Sequence, residues 1–212
     1  LRNNQIERLL NLLQTSPDAG LAFALPLTGG ADHRGLAPPG SQLTSRDVNF
    51  NLQRLGGGGS ADFWDLSFDY QQALRQKYRE LANREISLGR HRRAAYILAE
   101  LLGDISSAAA TLRDGAHFRE AAVLFEKKLN QPVAAAQCLQ RGGLLAEAVV
   151  IYERLEAWET VAEIYDQLQQ PEQASVSWRK AVSKHLAAGD RLGAAKLLEE
   201  KLRQAEEAYE LL

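Results

Sequence analysis

Apolar and small residues recur in this chain with a period of 27 residues. Copies of one pattern begin at Arg93–Tyr96, Glu120–Val123 and Glu147–Val150, and Ala174 continues the series 26 residues after Ala148. Each copy has helical spacing and one apolar face, which is too small to be buried alone. Neighbouring units therefore have to cover one another, and the pattern predicts a stacked-helix α-solenoid that leaves an extended surface exposed.

The region before these repeats has a different pattern. Leucine and isoleucine have helical spacing over residues 3–14, and Pro17 ends that helix. Proline and glycine are frequent afterwards, as is typical of loops. Leu21–Leu25 and the alternating Val48–Leu52 predict strands. We expect a loop-rich, partly β segment over residues 1–61, which either packs against the first solenoid helices or completes a sheet elsewhere.

A glycine-rich run, Gly56–Ser60, marks the main boundary of the chain. It matches the flexible unit that protein engineers place between fused pieces, and it also suits a natural turn-rich connection. Both origins stay open. In either case the sequence predicts two parts, residues 1–61 and an α-solenoid over residues 62–212.

Within the second part, Ser67 can cap a long helix that runs to about Leu88. Glycine, asparagine and proline then mark the ends of shorter helices, and we expect about ten helices in total. A single longer helix from Leu192 into Tyr209, rich in charged residues, is typical of a polar end cap. The long helix places the following residues on its apolar side: Phe68, Leu74, Tyr78, Leu81 and Ala82.

Composition excludes several classes of function. The chain has 25 basic and 27 acidic residues, a net charge of −2, so we expect no nucleic acid partner. No apolar run reaches the length that spans a bilayer, which predicts a soluble, cytoplasmic protein without a membrane partner. Cys138 is the single cysteine and is expected to be a small buried residue. Because the chain begins with Leu1 and contains no Met, we expect it to be part of a longer protein.

Candidate catalytic chemistry is sparse. The four histidines, His33, His91, His117 and His185, lie far apart in sequence, and none has a second ligand at helical spacing. Capping or surface roles are expected for His117 and His185. The glycine-rich runs lack the Lys-Ser/Thr of a phosphate loop. We therefore predict a protein that is not an enzyme and that has no metal or cofactor.

The densest group of charges offers a candidate protein-binding site: Arg90, His91, Arg92 and Arg93. In the alternative interpretation these arginines pair with carboxylates such as Glu80, Glu85 and Glu100. If they bind a partner, charge reversal of Arg92 and Arg93 should leave thermal stability unchanged.

Aromatic residues give a second candidate. Trp64 lies in a group with Phe63, Phe68 and Tyr70 that either seals one end of the solenoid or contacts the N-terminal region or a partner. Trp158 and Trp178 fall within the repeats and are expected to lie in the core.

Several of these stretches resemble a known family. The residues concerned are Ala61–Leu66, Arg84–Ile97 and the Glu-Ala-Ala-Val-Leu-Phe-Glu copies from Glu120. Over about residues 40–210 they resemble the bpX6-like proteins of the bacterial MoxR–vWA–β-propeller ternary systems. The helical part is also similar to tetratricopeptide-like solenoids of antiparallel helix hairpins, although its period is shorter than their ~34 residues. The resemblance implies a scaffold that works beside a MoxR-type AAA+ ATPase and a von Willebrand A (vWA) protein.

Two functions follow from these observations. The leading hypothesis is a non-enzymatic protein-protein interaction scaffold. The alternative is a regulatory solenoid domain that binds a small ligand or nucleotide and controls an associated ATPase.

Overall fold

The computed structural model describes residues 2–27, 42–53, 64 and 66–212, and the fold is mainly α. The described residues form twelve α-helices: α1 Arg2–Thr15, α2 Pro17–Ala22, α3 Phe68–Ser87, α4 His91–Tyr96, α5 Ile105–Asp114, α6 Phe118–Val123, α7 Pro132–Arg141, α8 Leu145–Arg154, α9 Trp158–Gln167, α10 Pro171–Ala187, α11 Arg191–Glu200 and α12 Ala205–Glu210. A π-helical turn extends α4 over Ile97–Leu101, and another extends α6 over Leu124–Lys128. The helices predicted over residues 3–14 and from Ser67 to about Leu88 are confirmed as α1 and α3.

The chain forms two compact units, Leu1–Asn130 and Gln131–Leu212. The first contains α1 to α6 and the second α7 to α12. From α3 to α6, and again from α7 to α12, each helix packs mainly on the helices next to it in the chain. The predicted boundary between residues 61 and 62, with the Gly56–Ser60 run, lies outside the described residues.

A left-handed residue follows almost every helix from α3 onward and reverses the chain. Four of these residues are glycines, Gly89, Gly103, Gly143 and Gly189, with φ between 71° and 78°. Successive left-handed residues are 13 or 14 positions apart, except across the longer α10. One interval of 13 and one of 14 residues together give the 27-residue period. The remaining positions are Ala116, Asn130, Glu156, Gln169 and Arg203, with φ between 53° and 62°.

The backbone hydrogen bonds at these positions explain why each helix stops. At the end of α7, the amide of Gly143 donates to the carbonyl of Gln140 at 3.0 Å, and the amide of Leu144 donates to that of Leu139 at 2.9 Å. These two bonds satisfy carbonyls that would otherwise lack a partner at the helix end. The same pair of bonds closes α5, where Ala116 and His117 donate.

Small buried residues let successive helices approach closely. The pairs Ala94/Ala95, Ala121/Ala122 and Ala135/Ala136 are each at most 4% exposed. The large buried side chain of Trp178 packs in a cluster with three more small residues, Ala162, Ala174 and Ala181. Dense packing of this kind between helices is what the repeated small residues predict.

The first segments of the chain pack against α3 and α4. The Tyr78 hydroxyl of α3 donates to the Leu25 carbonyl and accepts from the Leu25 amide, both at 3.0 Å. Burial raises the pKa of Tyr78, so the hydroxyl stays neutral. The Phe50 amide donates to the Arg92 carbonyl at 3.1 Å, and Phe50 is 1% exposed. Of the two expectations for this segment, packing against the first helices is the one that the structure shows.

The predicted strands do not form within the described ranges 2–27 and 42–53, which contain no β-strand. Leu21 and Ala22 end α2, because Pro17 stands at the first helical position and favours a helix start there. Val48–Leu52 contains no strand, and its buried Phe50 is held by the bond to Arg92.

Two further expectations need correction. Phe68 does not share the buried side of α3, because it is the first residue of the helix and is 71% exposed. The single helix expected from Leu192 into Tyr209 is divided into α11 and α12. The chain reverses at Arg203, with φ 57°, and this lets Leu202 pack against the buried clusters around Trp178 and Leu198.

Gly20 tests the close packing of α1 on α2. A Cβ at this position would lie 2.7 Å from the backbone nitrogen of Leu13, and backbone atoms cannot move aside as a flexible side chain can. We expect Gly20→Ala to lower the free energy of unfolding by about 1–3 kcal/mol, despite the higher helix propensity of alanine. Urea denaturation measures this change. Ala19→Ser, on the exposed side of α2, is the control; an equal effect of both variants would contradict the packing argument.

Candidate protein-binding surfaces

The predicted arginine group lies at the reversal between α3 and α4. Gly89, with φ 71°, ends α3 and brings Arg90 and Arg93 back beside the last turn of that helix. Glu85 lies there, fully buried, with Oε2 3.5 Å from Nη1 of Arg90 and 3.6 Å from Nε of Arg93. A buried carboxylate needs such partners because removal from water strongly disfavours an isolated charge.

A second carboxylate reaches the same arginines from α2. Asp18 Oδ1 accepts a hydrogen bond from Nη2 of Arg93 and lies 4.0 Å from Nη1 of Arg90. The side chain of Arg93 is only 17% exposed, whereas that of Arg90 is 48% exposed. The two arginines therefore join α2, α3 and α4 through charge pairs.

Arg92 faces another set of partners. Its Nη2 lies 3.0 Å from Oε1 of Glu120 in α6 and donates to the Phe50 carbonyl at 3.3 Å. With the bond between the Phe50 amide and the Arg92 carbonyl, this fixes the 42–53 segment against α4. Nearly half of the Arg92 side chain, 48%, remains exposed.

The other predicted site residues are more covered. His91 packs so closely against Gly115 that a Cβ at Gly115 has no room. Trp64 is 4% exposed, so its ring belongs to the interior. Tyr70, from the same aromatic group, donates to Glu7 of α1 at 3.0 Å, and Phe63 lies outside the described residues.

The structure thus brings Arg90, Arg92 and Arg93 together but pairs each of them within the chain. Pairing with Glu85, one of the carboxylates considered from the sequence, is confirmed, while Glu80 instead contacts Lys77 at 3.2 Å. Binding of a partner by this group stays a prediction. The expectation that charge reversal of Arg93 leaves stability unchanged is revised, because Arg93 partners a buried carboxylate.

A different surface emerges in the second unit, between α9 and α10. Trp158 opens α9 and is only partly buried, and Nζ of Lys180 lies 4.1 Å from the centroid of its ring. Lys184, one helical turn later, donates to the Glu156 carbonyl at 2.7 Å. Together with Val176 and Arg179 these residues line an open groove of about 590 Å³, which we name the tryptophan–lysine groove.

The helical spacing of α10 creates one wall of this groove. Ala174, Trp178 and Ala181 form its buried face and pack towards Ala162. The opposite face carries exposed side chains at intervals of three or four residues. These are Val176, Arg179, Lys180, Ser183 and Lys184.

His185 connects α9, α10 and α11 beside the groove. Its Nδ1 lies 2.7 Å from Oδ2 of Asp190, and its Nε2 lies 2.9 Å from Oε1 of Glu159. Hydrogen bonds to Glu159 and then to Asp190 raise the pKa of His185, because both carboxylates stabilise the imidazolium. Asp190 also caps α11 by accepting from the Gly193 amide at 2.9 Å, which, with His185, lowers the pKa of Asp190.

The sequence did not predict this groove. Trp178 lies in the core as expected and is 3% exposed. Trp158 is instead partly exposed, and Lys180 lies over its ring. The available signal was the basic face of α10, with Arg179, Lys180 and Lys184 at helical spacing opposite small apolar residues. Of the histidines expected to cap helices or lie at the surface, His117 stands at the N-cap position of α6 without a capping side-chain hydrogen bond. His185 lies in the last turn of α10 and contacts Glu159 and Asp190.

Other chemistry is limited among the residues described. Within 2–27, 42–53, 64 and 66–212, no three His, Cys, Asp or Glu side chains are grouped to hold a metal ion. No helix in that part of the chain combines the length and the apolar character needed to cross a bilayer. Cys138 is 2% exposed, which confirms the expected buried position.

Comparisons of the chain with protein-family models, curated proteins and solved structures find no match.

Arg93 provides a test of the ion pairs around Glu85. Replacement by alanine leaves the buried carboxylate with weaker compensation, so we expect Arg93→Ala to lower the free energy of unfolding by about 3 kcal/mol. Chemical denaturation measures the change. Arg79→Ala, an exposed arginine on α3, is the matched control and should stay within about 0.5 kcal/mol of wild type. Equal stabilities of the two variants would show that the pairs are dispensable.

The His185 contacts predict a pH dependence. The folded state raises the pKa of His185, so its contribution to stability is complete below the unfolded value of about 6.5 and is lost as pH rises through the folded value. Denaturation of wild type and His185→Gln at several pH values measures this. We expect the stability difference between them to shrink at alkaline pH. A stability difference that does not change with pH would contradict a charged His185. Asp190 stays ionised until strongly acidic pH because its pKa is lowered, so it remains a partner of the imidazolium below neutrality.

Proposed function

We propose that this chain is a non-enzymatic protein-protein interaction scaffold, built within each unit as a tetratricopeptide-like α-solenoid of antiparallel helix hairpins. The observation that supports the proposal is the sequential packing of short helices between evenly spaced chain reversals. In such an arrangement each repeat contacts only its neighbours, and one row of helix faces stays uncovered.

Exposed valines occur at equivalent repeat positions in the two units. Val123 in α6, Val150 in α8 and Val176 in α10 each stand two residues after an alanine that recurs in the repeat, Ala121, Ala148 or Ala174. They are 38%, 62% and 55% exposed. Isolated exposed apolar residues are ordinary on protein surfaces, but repetition at one position of a repeat favours a role in binding a partner.

The resemblance to the MoxR–vWA–β-propeller systems suggests the partners to test first. These are a MoxR-type AAA+ ATPase and a vWA protein, in the cytoplasm. Within each unit the packed helices supply a surface for such an assembly, and the catalytic work would be done by the ATPase.

The experiment tests whether the exposed valines contribute to partner binding. We expect the whole chain, used as bait in affinity capture with a purified MoxR-type ATPase and a vWA protein, to retain at least one of them. Val123→Ser with Val150→Ser should reduce capture by about tenfold, since apolar contact area is lost, while exposed positions leave the melting temperature nearly unchanged.

The matched control is Ser106→Ala with Gln137→Ala, which alters one exposed position in each unit without removing apolar surface. If the valine variant and the control capture equal amounts of the partner, the exposed valines do not contribute to binding. Failure of the wild-type chain to retain either protein would exclude these partners.

A further inference from the structure

We propose that the tryptophan–lysine groove binds an acidic linear segment of a partner protein, with carboxylates against Arg179, Lys180 and Lys184 and an apolar side chain against Trp158 and Val176. The inference rests on the proposed scaffold function and specifies the chemistry of one of its contacts.

The charges of the groove support this occupant. Three cations and one carboxylate, that of Glu156, belong to residues that line it. The second unit as a whole is acidic, with nine Lys and Arg residues against 13 Asp and Glu residues over 131–212. Positive charge is therefore concentrated at the groove against the overall balance, and this attracts a carboxylate-rich segment locally.

The individual cations differ in how they are held. Lys180 lies over the Trp158 ring, and Lys184 donates to a backbone carbonyl, so the chain itself positions both ammonium groups. Neither contact neutralises the charge. Arg179 has no carboxylate partner among the residues described, and its guanidinium can take a carboxylate in a bidentate pair.

The nearby acidic side chains are already engaged. Glu159 and Asp190 both contact His185, so they are turned towards the imidazolium. Trp158 and the 55% exposed Val176 add an apolar surface beside the cations. A volume of about 590 Å³ is within the ~300–1,000 Å³ of typical ligand sites.

A nucleic acid is the other polyanion that such a groove could attract. It carries a charge at every phosphate and is normally held by an extended basic face. The surplus of acidic residues in this unit opposes that kind of contact. A short peptide needs only the local cations, so the observations favour the peptide.

The test measures binding of a short fluorescent peptide rich in glutamate and leucine to the whole chain by fluorescence anisotropy. Arg179→Glu and Lys180→Glu should each weaken binding by about tenfold. We expect Arg179→Glu to leave the melting temperature unchanged because the side chain is exposed, and Lys180→Glu to lower it slightly because the contact with the Trp158 ring is lost. Arg191→Glu is the matched control: it makes the same charge change at the first position of α11, where a carboxylate suits the helix dipole. The control should bind as wild type does.

Further arms separate the alternatives. A lysine and leucine peptide of the same length, and a single-stranded oligonucleotide, are titrated against the wild-type chain. The proposal is supported if the acidic peptide binds and the other two bind at least about tenfold more weakly. It is overturned if the acidic peptide does not bind, if Arg179→Glu binds it as wild type does, or if the oligonucleotide binds more tightly.

These outcomes are distinct from those of the scaffold experiment. The test variants of the peptide experiment change Arg179 and Lys180 in α10, whereas those of the capture experiment change Val123 in α6 and Val150 in α8. If the partners are retained but the acidic peptide fails to bind, the groove assignment is wrong and the scaffold stands. If the peptide binds but neither partner is retained, the groove stands and the named partners are excluded.

Discussion

The regular reversal of the chain is the constraint on which the rest of this structure depends. A left-handed residue stops a helix every 13 or 14 residues through most of α4 to α9, and the paired backbone bonds there satisfy the last carbonyls of each helix. Several of these residues are not glycine and bear a conformational cost. That cost is offset because each reversal lets an apolar helix face meet its neighbour, and buried alanines allow the close approach.

Arginine and lysine serve two different purposes in the two units. In the first unit, Arg90 and Arg93 lie beside the buried carboxylate of Glu85, so their charges are compensated within the fold. In the second, Lys180 is positioned by an aromatic face and Lys184 by a carbonyl, and both keep their charge available. The nature of the nearest partner decides whether a basic residue is structural or available for recognition.

His185 links the tryptophan–lysine groove to the fold of its own unit. The imidazolium joins α9, α10 and α11 through Glu159 and Asp190, close to where Lys184 faces the groove. Because the two carboxylates are held by His185, they do not compete for the lysines. The same contacts therefore stabilise the helix packing and preserve the positive character of the groove.

The sequence by itself determined the helical class, the period of 27 residues and the ends of α1 and α3, because these depend on the local spacing of residues. It also determined the burial of the paired alanines, because small residues fit where two helices approach closely. Tertiary structure decided the rest. The α1 backbone packs directly on Gly20 of α2, and Leu202 packs inward where the chain reverses after α11. Trp64 is buried and Trp158 is partly exposed, although each has an apolar residue before it in the sequence and an acidic residue after it. Such differences arise from contacts between residues distant in sequence, such as Arg93 with Asp18 or Lys180 with Trp158, which periodicity along the chain does not encode.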